Sequence, residues 1–235
     1  MAERPIFIPA PDSSELVKEL SMRLVWSSGF APIQKKKNVV ALHAAAAKAG
    51  YAPLLEVSTK SEEKIGQRLS AFSLRVHSDR FGKIALEAAF QGSKVFEHGG
   101  PYTDLYTVED VRDAKRDPRL KESGALRGFE FENLRFPLEP KTAFYDWLYI
   151  GALYEHREWL RTHIFHYAGF TDIEFNPEKS INCQARSCAL LVTLMKKQWL
   201  DEAVGSPEAF IELLSRRDYR PSHTYASPQT AMFRS

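Results

Sequence analysis

The stretch Leu86-Glu87-Ala88-Ala89-Phe90-Gln91-Gly92-Ser93-Lys94 sets three long polar side chains in a background that is otherwise apolar or small. Residues 84–97 carry a helical pattern, which puts Glu87, Gln91 and Lys94 at i, i+4 and i+7 on one face. An ordinary surface helix shows a wide, richly charged face, whereas this narrow stripe crosses a segment fit for burial on most sides. Two outcomes follow from the pattern. Either Glu87 and Lys94 form an internal ion pair bridged by Gln91, or the stripe lines a pocket. The helix is expected to stop at His98-Gly99-Gly100-Pro101, where glycines and a proline cannot extend it.

Around this segment the chain alternates between short strands and longer helices. Residues 6–11 read as a strand closed by prolines, and Asp12-Ser13-Ser14 as a cap for an amphipathic helix over 15–22. Lys35-Lys36-Lys37 reads as a solvated loop, with a phosphate contact as the alternative. Asn38 is expected to cap an alanine-rich helix over 39–49 that Gly50 ends. Residues 54–59 suit a strand, 60–68 an exposed loop or helical turn, and 69–76 a second strand. Thr107-Val108-Glu109-Asp110 opens a helix that Asp117-Pro118 closes. An aromatic helical region covers 142–167 with a break near Glu155-His156. Residues 172–175 suit a short strand and 184–199 a core helix, while Ser206-Pro207-Glu208 starts a last helix reaching about residue 216. Helices outnumber strands, so the expectation is a mostly helical α+β fold in a single domain. Residues 1–53 are expected as an N-terminal extension packed on a domain of 54–217, and 218–235 as a polar C-terminal tail.

Composition narrows the function classes. A chain of 235 residues with 44% hydrophobic content supports one substantial core. Its 32 basic and 30 acidic side chains leave a charge of +2, so no global field marks a nucleic-acid or membrane binder, and any contact with DNA must be local. Cys183 and Cys188 are too few for a disulfide framework and lack the second pair of a zinc site. His163 and His166 share a helical face, but no carboxylate pair accompanies them, so neither a metal nor a cofactor is expected. The start Met1-Ala2-Glu3-Arg4-Pro5 has no secretory pattern, and no apolar run approaches the ~20 residues of a membrane span. The expected setting is cytoplasmic.

The segment Arg68-Leu69-Ser70-Ala71-Phe72, followed by Glu87-Ala88-Ala89-Phe90-Gln91-Gly92-Ser93-Lys94, resembles the paired signature motifs of the NADAR superfamily. Asp146-Trp147 with residues 150–153, Ile173-Glu174-Phe175-Asn176-Pro177, and residues 190–195 resemble its later motifs, in the same order. The likeness covers roughly 54–197. Leu55-Glu56-Val57-Ser58-Thr59-Lys60-Ser61, Gly99-Gly100-Pro101-Tyr102-Thr103-Asp104-Leu105 and residues 170–185 are similar to the subgroup associated with DarT-type toxins. The chain departs from the superfamily at Ala88, where histidine is usual, and at Lys179-Ser180-Ile181-Asn182-Cys183, where a late aspartate is often present.

The resemblance implies an N-glycosidase that removes ADP-ribose from guanine bases in DNA, as the antitoxin of a DarT-type DNA ADP-ribosyltransferase. Its ligand would be guanine-ADP-ribosylated DNA or ADP-ribose, and its partner a DarT-type toxin. Breaking a C1′–N bond builds positive charge on the sugar, which a nearby carboxylate stabilises, so Glu87 is the candidate catalytic acid group. Lys94 is the second candidate, by pairing with the diphosphate, by holding Glu87 ionised, or by attacking C1′. Ser70, Phe72, Gln91, Trp147, Glu174 and Asn182 are expected to bind substrate, the two aromatics by stacking. Core packing is the competing role for both aromatics. Asp172 and Glu174, alternating along the expected strand, form a reserve acid/base pair. Two other functions fit the same residues: an N-glycosidase of ribosylaminopyrimidine intermediates of riboflavin synthesis, and a non-catalytic ADP-ribose reader or toxin-sequestering protein.

Overall fold

The computed structural model describes residues 1–29 and 31–215, so the expected tail at 218–235 lies outside it. The chain opens on an antiparallel hairpin of β1 (Ala2–Pro9) and β2 (Val17–Leu24), with Ala2 opposite Leu24 and Pro9 opposite Val17. The helix expected over 15–22 is therefore a strand. Leu20, Met22 and Leu24 recur at every second residue and all pack on one apolar cluster, the period of a strand. α1 (Pro32–Lys48) begins on a proline, which suits a first helical turn, and it absorbs Lys35-Lys36-Lys37. That triplet is helical, not a loop, and Lys35 pairs with Glu174 at 3.0 Å. Nor is Asn38 a cap. Buried within α1, it clasps the backbone of Ser27, accepting from its N–H at 2.7 Å and donating to its carbonyl at 3.0 Å. Gly50 follows with φ 87°, the left-handed stop expected there.

β3 (Leu54–Glu56) leads to α2 (Lys64–Arg68). Residues 69–74 then form a turn, and only the end of the strand expected over 69–76 appears, as β4 (Arg75–Ser78) paired with β5 (Gly82–Ala85). α3 (Leu86–Gly92) is shorter than expected, for β6 (Lys94–Phe96) takes over by pairing with β7 (Leu126–Phe131). Lys94 thus stands on a strand, not on the helix of Glu87 and Gln91. Gly92 allows this change of direction: a Cβ there would lie 2.6 Å from the Tyr106 ring and 2.7 Å from the Tyr102 carbonyl.

A 3₁₀ turn at Thr103–Thr107 precedes α4 (Val111–Arg116), which Asp110 caps by accepting from the Arg112 N–H at 2.9 Å, and α5 (Arg119–Glu122). β7 folds back on β8 (Leu134–Phe136). α6 (Ala143–Tyr154) and α7 (Arg157–Ile164) divide at Glu155-His156 as expected. β9 (Gly169–Thr171) lies earlier than the strand expected over 172–175, and α8 (Gln184–Lys197), α9 (Leu200–Gly205) and α10 (Pro207–Ser215) follow. Ser206 starts α10 by accepting from the Ala209 N–H at 3.1 Å.

The main sheet has the order β2-β1-β9-β3, parallel between β3 and β9 and antiparallel elsewhere. Residues 1–53 supply β1, β2 and α1, and β1 lies between β2 and β9 in this sheet. Strand alternation sends Ile6 and Leu54 to the α1 side and Phe7, Leu55 and Phe170 to the main core. α8 fills that core. Every residue from Gln184 to Met195 is buried, which only a helix enclosed on all sides tolerates. Its polar groups are all engaged. Thr193 donates to the Leu16 carbonyl at 2.6 Å, and Arg186 pairs with Asp146 of α6 at 3.0 Å with both partners buried. Ser187 and Thr142 also donate to Asp146, at 2.5 and 2.8 Å. The result is a mixed α and β fold in which α6 and α8 are locked together by one buried ionic knot.

Candidate active site

α3 presents Glu87 and Gln91, and the sharp exit at Gly92 returns Lys94 beside them. Lys94 Nζ donates to Gln91 Oε1 at 2.6 Å and lies 5.1 Å over the Phe90 ring. Glu87 and Lys94 are not in ion-pair contact among the described residues, so the bridged pair considered for this row forms only on its amine side. Glu87 Oε1 instead accepts from the Tyr145 hydroxyl of α6, at a long 3.3 Å. Both Glu87 and Lys94 are half-buried and retain contact with solvent.

Burial dominates the electrostatics here. It raises the Glu87 carboxyl above its ordinary range, against the pull of Lys115, the Tyr145 hydroxyl and Lys94. It lowers the Lys94 ammonium to about 8, with Glu87 opposing and Lys115 assisting. The charge of Lys115 on α4 therefore acts on both groups. Nothing in its local sequence sets it apart from the neighbouring charges, and sequence reasoning passed it over. Tyr145 is held by edge-to-face packing on Phe90, ring centres 5.2 Å apart, and its phenol is pushed up by burial and then by Glu87, Asp172 and Cys183.

Asp172 is the second acidic centre on this side of the sheet. It is not on a strand alternating with Glu174, because β9 ends at Thr171 and the chain turns: Asp172 Oδ1 accepts from the Glu174 N–H at 3.0 Å. Glu174 points to α1 instead, exposed and paired with Lys35. The reserve pair expected from alternation thus comes apart, and Asp172 has a different acidic neighbour, Glu56. Burial raises both carboxyls above the ordinary range, and Asp172 pushes Glu56 further. Glu56 accepts from Ser58, from Thr171 at 2.7 Å and from the Ile173 N–H at 2.9 Å, with His43 bonded to Thr171 behind it. Gln184 joins Asp172 to the signature turn, donating to Asp172 at 2.9 Å while accepting from the Ala71 N–H at 2.7 Å and from Ser70 at 3.3 Å. Ser70 is accordingly buried and committed to Gln184.

The remaining sequence candidates scatter. Phe72 is 50% exposed in the turn after Ser70. Trp147 packs on Phe136, ring centres 5.1 Å apart, and its buried indole N–H has no partner among the described residues. Asn182 is half-buried just before the buried Cys183. His163 bonds to the Trp159 carbonyl and stacks on the Trp159 ring, and no three His, Cys, Asp or Glu side chains among the described residues form a metal-sized group. A groove of about 550 Å³ opens elsewhere, between the β4–β5 hairpin and the start of α7, and Glu87 does not line it.

A mixed α and β domain in which an acid, an amide and an amine of the EAAFQGSK row gather beside a buried tyrosine hydroxyl defines the class, a NADAR-type domain. The family model described as DarT1-associated NADAR antitoxin matches residues 2–224, and the chain belongs to that family. No curated protein matches the chain. Among the described residues no helix is long and apolar enough to cross a membrane.

Proposed function

We propose that the protein is an N-glycosidase that removes ADP-ribose from guanine bases in DNA and so acts as the antitoxin of a DarT-type toxin. The observation that carries the chemistry is Glu87: a half-buried carboxylate with one long hydrogen bond, from the Tyr145 hydroxyl, in the field of the two amines Lys94 and Lys115. Family membership supports the antitoxin role and the N-glycosidase chemistry. In its ionised form Glu87 stabilises the oxocarbenium-like ribose or orients the attacking water, and burial makes each such contact stronger than in water. Lys94, still largely cationic at pH 7, and Lys115 offer the diphosphate two positive charges. Gln91 orients Lys94 and leaves its own amide N–H groups for a ribose hydroxyl.

The test is release of ADP-ribose from guanine-ADP-ribosylated single-stranded DNA. The wild type should clear the modification, and Glu87→Gln should slow it on the order of 100- to 1000-fold. Persistence of the modified DNA with wild-type protein refutes the proposal. Binding of ADP-ribose without turnover would point to a reader, and turnover of a ribosylaminopyrimidine in its place to the riboflavin-type activity.

One observation favours a second mechanism for the same reaction. With its ammonium lowered to about 8, Lys94 holds a useful fraction of neutral amine at pH 7, enough to attack C1′ as the C1′–N bond breaks and guanine leaves with a proton on its nitrogen; the ribose ring then opens to an imine, which water hydrolyses to free ADP-ribose and the amine. Borohydride would then trap a covalent ADP-ribosyl adduct on Lys94, whereas the electrostatic role leaves nothing to trap.

A further inference from the structure

We propose that the groove beside the β4–β5 hairpin is a second binding site, which takes the sugar-phosphate backbone of the single DNA strand whose modified base is presented at Glu87. The reading rests on the DNA substrate proposed above. The groove, of about 550 Å³, has an apolar floor that includes Leu74, Leu153 and Leu160, and a rim of Arg68, Arg75, His77, Lys83 and His156 with the single acid Glu155.

The pairing of the hairpin concentrates this charge. His77 stands directly opposite Lys83, and Arg75 is two residues before His77, so the three occupy one face while Val76 and Ile84 are buried on the other. Arg68, Arg75 and Lys83 are exposed and make no ion pair among the described residues; Arg75 donates only to its neighbour's carbonyl, and His77 alone has an acid at hand, Asp79 at 3.5 Å. A concave, apolar-floored site ringed by uncompensated cations suits a polyanion that also carries flat apolar groups. Trp159, 42% exposed on the same wall, has one ring face against His163 and offers the other to a base.

Connectivity ties this groove to the candidate active site. β5 contributes Lys83 to the rim and runs directly into α3, so Lys83 and Glu87 are four residues apart, at most about 14 Å along the chain. At 3.4 Å per nucleotide of stacked strand, a base at Glu87 has its neighbours in the groove within about four nucleotides. The signature turn faces both ways. Leu69 and Ser73 line the groove, while Ser70 and Ala71 hold Gln184 against Asp172.

The experiment is fluorescence anisotropy of the full chain with an unmodified, labelled single-stranded 12-mer across a salt series. The wild type should bind. Arg68→Ala/Arg75→Ala/Lys83→Ala should raise Kd about 30- to 100-fold at 0.15 M salt and flatten the slope of log K against log salt by about 2. Trp159→Ala should raise Kd at least about fivefold and leave the slope unchanged, since stacking releases no counterions. A wild type that ignores the 12-mer, or a triple variant with wild-type affinity and slope, overturns the proposal. So does a groove that takes AMP but not the 12-mer. Because the probe carries no ADP-ribose, the two readings fail separately: wild-type protein that leaves modified DNA intact yet shows these binding shifts loses the glycosidase and keeps the groove.

Discussion

Replacing Asp146 with alanine should unfold the protein well before it touches the chemistry. Asp146 is buried in α6 and accepts from Arg186, Ser187 and Thr142 at 3.0, 2.5 and 2.8 Å. The substitution takes from the buried Arg186 guanidinium the carboxylate that faces it at 3.0 Å. Loss of one partner of such a pair costs about 3–5 kcal/mol, far more than the pair contributes net, because the remaining charge stays desolvated. At roughly 2–4 °C per kcal/mol for a domain of this size, Tm should fall by about 6–20 °C. Thermal and urea melts followed by circular dichroism would measure it. The double substitution Asp146→Leu/Arg186→Met removes both charges and fills the space, and should recover most of the loss. A single variant that loses less than about 1 kcal/mol would refute the reasoning, and so would a double variant no more stable than the single. The substitution bears on the proposed site too, since Tyr145 precedes Asp146 and Gln184 lies two residues before Arg186.

Three further outcomes can be checked. Gly92→Ala forces a Cβ against the Tyr106 ring and the Tyr102 carbonyl, so the urea midpoint should fall by an amount equivalent to about 1–3 kcal/mol. Glu56 is raised in the fold from 4.5 to about 8, so its neutral form favours folding fully below pH 4.5 and that contribution is lost as pH rises through about 8; Glu56→Gln should flatten the decline in urea midpoint across that window. If Lys94 works as a cation, kcat/KM should fall as pH rises through about 8 and Lys94→Arg should abolish the fall; a nucleophilic amine gives a rise over the same range and an inactive arginine variant.

What the sequence made legible was what short-range chemistry decides. The enclosed helix α8, the start at Ser206-Pro207, the stop at Gly50 and the break at Glu155-His156 each depend on residues within one or two turns. Strands were harder, because their partners are distant. Val95 and Phe96 continue a helical pattern until Gly128 and Leu126 are placed beside them, and the alternation Phe129-Glu130-Phe131 is too short to stand as a strand until β6 and β8 flank it. The site divides the same way. Glu87, Gln91 and Lys94 were recognisable as a group although the helix supposed to align them ends early, since the turn at Gly92 restores their proximity. Glu56 was not, because in Leu-Leu-Glu-Val it reads as one more strand position; only Thr171 and the Ile173 N–H make it a buried acid. Asp172 was visible as an acid and matched with the wrong neighbour, because β9 ends at Thr171 and the turn that follows sends Glu174 away to Lys35.

The first strand of the chain finds its inner neighbour only at Phe170, and β3 lies parallel to that same late strand. Most of the residues that build both acidic centres are therefore a long excursion between two edges that must meet for the sheet to close. Contacts this far apart along the chain make assembly slow. A ribosome-bound fragment lacking residues 169–171 has neither the Thr171 hydroxyl beneath Glu56 nor the turn that sets Asp172. It therefore lacks the buried Glu56–Asp172 pair altogether, and that pair can form only once residues 169–175 have emerged to join strands made more than a hundred residues earlier.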